Sequence, residues 1–167
     1  MRKKVLVAQS GGPTVAINAS LAGVIAGVAQ SGDYEVFGAA NGIKGVLDEN
    51  FINLSEFRED VKNGKESVSE IKISQPDGTF DTWSPKSMID RLAITPSMYL
   101  GSCRYKLPSV EEGAEVYEKI FSILDKNDIG MFFYIGGNDS MDTIKKLSDY
   151  AIVTGQPTRF VGCPKTI

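Results

Sequence analysis

Histidine is absent from all 167 residues. Its absence removes the Ser-His-Asp and Cys-His nucleophiles, the imidazole general base and every His-ligated metal site. Any chemistry must come from carboxylates, Lys, Arg, hydroxyls and backbone amides. Cysteine is scarce: Cys103 and Cys163 are the only two, and no CxxC pair exists. That excludes a zinc or dithiol signature and suits a reducing compartment. Long hydrophobic runs are missing as well. Val5-Leu6-Val7-Ala8 follows Met1-Arg2-Lys3-Lys4 but is broken by Gln9, Ser10, Gly11, Gly12 and Pro13, too soon for a signal peptide. Val15 to Ala29 is interrupted by Asn18 and Ser20 and is shorter than the roughly 20 residues a bilayer crossing needs. These features predict a cytoplasmic protein with no membrane partner. A basic face is lacking too: Lys plus Arg number 18 against 21 for Asp plus Glu, a net charge of −3, with Arg2-Lys3-Lys4 and Lys145-Lys146 the longest basic runs. No nucleic-acid partner is expected. Neither G-x-x-x-x-G-K-[ST] nor a strand-linked G-x-G-x-x-G occurs, which disfavours the common nucleotide-binding turns.

The chain contains an alternation of short apolar runs and helical stripes. Lys4 to Ala8 reads as a buried strand. Thr14 is a candidate N-cap for a helix whose inner face carries Ile17, Leu21, Val24, Ile25 and Val28. Glu35 to Ala40 reads as a second strand, and Asn41-Gly42 as a turn. Between Ile43 and Phe80 the pattern weakens: Ile43 to Asp48 and Ser55 to Lys62 are candidate helices and Val68 to Ser74 a candidate strand. Gln75 to Ser84 reads as an exposed loop or small insertion, and Pro85 to Thr95 as a helix opened by Pro. Ser109-Val110-Glu111-Glu112 matches a capping box before a stripe of Val110, Ala114, Tyr117, Phe121 and Leu124. Met131 to Ile135 is a candidate central strand. A helix then turns Met141, Ile144, Leu147 and Ala151 inward, and Thr158 to Gly162 closes the pattern as a strand. Apolar strands alternating with helices predict one α/β domain over residues 1–167, an open, parallel, Rossmann-like sheet with helices on both faces.

Ligands of such sheets bind at the carboxyl ends of strands, beside helix N-termini. Three segments fall there: Ser10-Gly11-Gly12-Pro13-Thr14, Gly136-Gly137-Asn138-Asp139-Ser140 and Gly162-Cys163-Pro164-Lys165-Thr166. Two Gly-Gly pairs at strand-to-helix turns allow backbone amides to approach an anion; the alternative is that they only make tight turns. Arg104 and Lys106, in Gly101-Ser102-Cys103-Arg104-Tyr105-Lys106, are either a phosphate grip or solvated surface charges. Asp139 and Lys165 are either a salt bridge or a charge-matched phosphate site.

Ser10-Gly11-Gly12, Gly101-Ser102-Cys103-Arg104, Gly136-Gly137-Asn138-Asp139-Ser140 and Pro164-Lys165-Thr166-Ile167 occur in the order and spacing of the phosphofructokinase family, which the chain resembles from Val5 to its last residue. The resemblance implies the N-terminal part of that fold. The implied activity is glycolytic: phosphoryl transfer to the 1-hydroxyl of fructose 6-phosphate with Mg²⁺, in an enzyme that is a homo-oligomer at full length. ATP-dependent members carry Gly where this chain has Asp139 and Lys165, so the resemblance points to pyrophosphate as donor. A carboxylate at Asp139 opposes the α-phosphate of ATP by charge and volume, and Lys165 supplies a point charge for a compact donor and its transition state. By resemblance, Lys165 and Asp139 are the catalytic candidates, and Gly11, Gly12, Arg104, Gly137, Asp139, Ser140 and Lys165 bind the donor. Thr166 opens the sugar-phosphate site, and Asn138 takes the metal position, where its carbonyl oxygen replaces the more common carboxylate. The family's general base is the first Asp of an Asp-Asn-Asp that follows Ile167, and the second, sugar-phosphate domain also lies beyond these residues. The 167 residues alone are therefore expected not to turn over. An ATP-dependent kinase and a non-catalytic phosphate-binding module are the alternatives.

Overall fold

The computed structural model of the chain describes residues 4–32, 34–57, 71–83 and 88–165. Strand β1 (Lys4–Gln9) leads into helix α1 (Val15–Gln30), then strand β2 (Glu35–Ala39), the short helix α2 (Gly42–Leu47) and strand β3 (Phe51–Asn53). A hairpin of β4 (Ile71–Ser74) and β5 (Phe80–Trp83) precedes helix α3 (Met88–Ile94). Helix α4 (Val110–Lys126), strand β6 (Ile129–Gly136), helix α5 (Asn138–Thr154) and strand β7 (Arg159–Pro164) complete the order. Among the described residues, no helix is long and apolar enough to cross a membrane.

The main sheet has five strands in the order β3-β2-β1-β6-β7. β1 pairs in parallel with β2 on one side and with β6 on the other, and β6 pairs in parallel with β7. Every central strand is apolar on both faces, because both faces are covered. Val5 and Val7 face α1 and α3, packed with Ile17, Leu21, Ile25 and Leu92. Leu6 and Ala8 face α2, α4 and α5, packed with Ile43, Tyr117, Phe121 and Leu147.

Three features depart from the sequence reading. The sheet is not wholly parallel: β3 lies antiparallel against β2, with Phe37 opposite Asn53. A three-residue edge strand is too short to show a period. Gln75 to Ser84 is not a plain loop, since Phe80 to Trp83 pairs antiparallel with β4. The turn between them is closed by Asp77, which accepts from the Thr79 amide at 2.9 Å and its hydroxyl at 2.6 Å. The capping box is not formed either. Ser109 caps nothing with its side chain, and Gly113 departs from helical backbone at φ −150° and ψ 40°. A Cβ there would come within 2.4 Å of Pro108 Cγ. The kink turns Ala114 outward and leaves Tyr117, Ile120, Phe121 and Leu124 on the buried face. Thr14 does occupy the N-cap of α1, but its hydroxyl makes no cap bond. The structure describes only residues 55–57 of the Ser55–Lys62 candidate, and these are helical. The remainder of that candidate, and residues 68–70 and 84–87 of the later ones, lie outside the described residues.

Packing predicts opposite results for two glycines. A Cβ at Gly45 would sit 1.7 Å from the Ala40 carbonyl oxygen, a backbone atom that cannot step aside, whereas one at the helical, exposed Gly27 meets nothing within 4 Å. Gly45→Ala is expected to destabilise by about 3 kcal/mol, and Gly27→Ala to stabilise by up to about 1 kcal/mol. Urea denaturation midpoints check both; a neutral Gly45→Ala would contradict the packing.

Candidate functional site

The connection from β1 to β2 runs one way across the sheet and that from β6 to β7 runs the other, so α1 and α5 leave adjacent strands toward opposite faces. A crevice at the strand ends is the consequence. Gln9 is level with Ile135, and the Ser10 amide donates to the Ile135 carbonyl at 2.9 Å. Gly136 is level with Pro164, and the Lys165 amide donates to the Gly136 carbonyl at 3.0 Å. The three strand-end segments picked out in the sequence therefore stand side by side.

Between them opens a cleft of about 850 Å³. Ser10, Gly11 and Gly12 form one wall, and Gly137, Asn138, Asp139 and Ser140 another; Ser102 to Lys106 close the third. Gly137 is the N-cap of α5, so the first amides of that helix, which have no intrahelical acceptor, open at the cleft. Asn138 and Asp139 are exposed there, with Asp139 in the first turn. Ser140 is buried; its amide donates to the Gly137 carbonyl at 3.0 Å, and its hydroxyl oxygen lies 2.1 Å from where a Cβ on Gly136 would be. Only glycine fits at Gly136.

Lys165 lies across this turn. Its ammonium donates to the Gly12 carbonyl, and a Cβ at Gly11 would meet Lys165 Cε at 3.1 Å and Nζ at 3.4 Å. Gly11 also holds φ +83°, so both its backbone and its contact with the lysine stem call for glycine. Among the described residues no ion pair joins Lys165 to Asp139; the salt-bridge alternative is not what the structure shows. Arg104 and Lys106 are exposed on the cleft wall without an ion-pair partner among the described residues. Thr166 lies outside the described residues. No group of three or more His, Cys, Asp or Glu side chains able to hold a metal occurs among the described residues. Asn138 and Asp139 are thus the only side-chain amide and carboxylate among the described residues that line the cleft.

Sequence reasoning missed the layer beneath the cleft. Tyr134, on β6, is buried, with its hydroxyl beside Ser10. A Cβ on Gly42 would lie 3.1 Å from both that hydroxyl and Cys103 Sγ. Burial pushes the Tyr134 phenol up to about 12, against the opposing pull of the Ser10 side chain. Gln9 and Asn18 likewise escape a sequence reading. Both are buried, and a signal exists for each: a polar residue at the end of an apolar strand, and another on the apolar face of α1.

Glycine turns, a helix N-terminus and cations without an ion-pair partner among the described residues meet at the switch point of an α/β sheet, an arrangement whose chemistry suits a phosphate-type anion. The chain belongs to the phosphofructokinase family, whose model matches residues 4–167. It is 41% identical over 162 residues to a pyrophosphate–fructose 6-phosphate 1-phosphotransferase of Xanthomonas campestris, a match that spans 97% of this chain and 32% of that protein. To the enzyme of the same name from Methylococcus capsulatus it is 38% identical over 162 residues, 96% of this chain and 32% of that one. The crystal structure of a pyrophosphate-dependent phosphofructokinase from Marinobacter aquaeolei superposes with a TM-score of 0.70 at 35% identity, over 98% of this chain and 33% of that one. The chain thus spans about a third of the length of these relatives.

The buried phenol yields a pH prediction. An exposed tyrosine titrates near 10.0 and Tyr134 near 12. Between those values the unfolded chain has lost the proton and the folded chain holds it, so stability is present below pH 10 and falls as pH rises. Relative to Tyr134→Phe, the wild type is expected to lose about 2–3 kcal/mol across that window. Denaturation curves collected at several alkaline pH values measure this; parallel pH profiles for the two proteins would refute it.

Proposed function

We propose that this chain is the donor-binding part of a phosphotransferase that moves a phosphoryl group from pyrophosphate to the 1-hydroxyl of fructose 6-phosphate. The observation that carries this reading is the convergence of Gly11-Gly12, the α5 N-terminus, Arg104 and Lys165 on one cleft, with the carboxylate of Asp139 in its mouth. Backbone amides and a helix N-terminus suit a compact anion. The curated relatives, named for pyrophosphate and fructose 6-phosphate, support the choice of both substrates.

In this reading the Gly11-Gly12 turn and the α5 amides hold the donor. Arg104 grips its oxygens bidentately, and Lys165 stabilises the charge that spreads over the transferring group. The lysine would leave the Gly12 carbonyl for the donor, exchanging a neutral acceptor for an anionic one. Asp139 discriminates among donors: its charge stands where a longer nucleotide donor would place a further phosphate. Asn138 would lend its carbonyl oxygen to Mg²⁺, which typically takes one or two protein oxygens and keeps its remaining positions for phosphate and water. The metal would neutralise donor charge. The sugar phosphate would enter from the open side of the cleft.

Calorimetric titration tests the proposal. Magnesium pyrophosphate is expected to bind the chain, Arg104→Ala and Lys165→Met each weakening it by about tenfold or more. ATP should bind only weakly until Asp139 is replaced by Gly. Tighter binding of ATP than of pyrophosphate by the wild type would overturn the donor assignment.

A further inference from the structure

We infer that the buried amides of Gln9 and Asn18 form a positioning device that sets Arg104 over the glycine turn; the inference rests on the donor-binding reading above. Gln9 is 0% and Asn18 2% exposed. Gln9 Nε2 donates to the Ile17 carbonyl at 3.1 Å and to Asn18 Oδ1 at 3.2 Å. Gln9 Oε1 accepts from the Leu100 amide at 2.8 Å. Asn18 Oδ1 also accepts from the Tyr99 amide at 2.8 Å, and Asn18 Nδ2 donates to the Thr95 carbonyl at 3.0 Å. Two side chains thereby tie the end of β1 and the first turn of α1 to the segment that follows α3.

That segment is the root of the cleft wall. The Leu100 carbonyl accepts from the Asn41 amide at 2.7 Å, and the Leu100 side chain fills the space over Gly38, where a Cβ would lie 2.4 Å from Leu100 Cδ2. At the far end the Leu107 carbonyl accepts from Lys146 Nζ at 3.1 Å, and the Pro108 carbonyl from the Tyr117 hydroxyl at 2.7 Å. Only Ser102 to Lys106 hang between these anchors, separating the main cleft from a second hollow of about 480 Å³. A strap held at both ends has few positions open to it, so Arg104 is delivered to the cleft rather than left to swing. Gln9 directly precedes the Ser10-Gly11-Gly12 wall, so the same amides place the turn and the cation that faces it. Four of the five bonds reach backbone groups, which need partners whatever the ligand state. The particular partner chosen couples two walls that are joined as well by an isolated antiparallel bridge between Thr14 and Ser97.

The coupling makes the two residues non-additive. Asn18→Asp keeps the shape and both acceptor roles but sets a carboxylate against the Thr95 carbonyl. It should weaken magnesium pyrophosphate binding by about tenfold in the wild type and by less than about twofold when Arg104 is already Ala. Equal losses in both backgrounds would mean a merely structural role and would overturn the inference. Amide hydrogen exchange on the unaltered chain provides a test that no folding defect can obscure. By reciprocity, saturating pyrophosphate should slow exchange at Tyr99 and Leu100. Tight binding with unchanged exchange there overturns the positioning role alone; no pyrophosphate binding by the wild type overturns the functional reading, and the inference with it.

Discussion

Two helices diverging from two adjacent parallel strands are the constraint on which the molecule depends. A right-twisted strand feeding a helix packs back onto its sheet with one hand only. Because β2 lies on one side of β1 and β7 on the far side of β6, α1 and α5 must cover opposite faces. No main-chain element can then fill the space above the junction of β1 and β6. The open space is a by-product of handedness, and its lining follows from what can be tolerated at the two strand ends.

Close approach and backbone supply dominate that lining. Lys165 lies so near Gly11 that a methyl group would press on its stem, and Ser140 occupies the space beside Gly136 that any side chain would need. The glycines serve less to flex than to let a lysine, a serine and two helix starts converge within one small volume. Charge then follows position. Lys165 rests on a backbone carbonyl and has no ion pair with Asp139 among the described residues, and Arg104 and Lys106 face the cleft unpaired among those residues. Cations left without carboxylate partners around a helix N-terminus make a field that favours an anion.

Beneath the cleft, burial raises the stakes of every polar contact. Tyr134, Gln9 and Asn18 sit among apolar side chains, where an unsatisfied hydroxyl or amide costs more than a made bond returns. The amide pair is satisfied by Tyr99 and Leu100, at the root of one cleft wall, and the Tyr134 hydroxyl lies beside Ser10 of another. The support of the site is thus continuous with the core. Where the chain departs from expectation, at the Gly113 kink and the short antiparallel β3, the cause is likewise tertiary. The kink fits Pro108 against α4, and β3 is defined by its partner rather than by its own pattern.

Legible in the residues alone were the alternation of elements, the apolar strands that require helices on both faces, and the glycine-rich turns at the ends of β1 and β6. All of these are local: periodicity, run length and turn chemistry are legible without knowing what lies opposite. The sequence also singled out Gly11, Gly12, Asn138, Asp139, Arg104 and Lys165 as residues of one chemistry, through motif order. Which residues meet across the fold was set by packing. Lys165 stands on the Gly12 carbonyl and not on Asp139; the backbone amides of Tyr99 and Leu100 donate to side-chain amides from α1 and β1; and Tyr134 comes beside Ser10 from the neighbouring strand. The reason is physical: a hydrogen bond between residues far apart in the chain depends on sheet order and on the space left by packing. Neither has a period that a linear sequence can show.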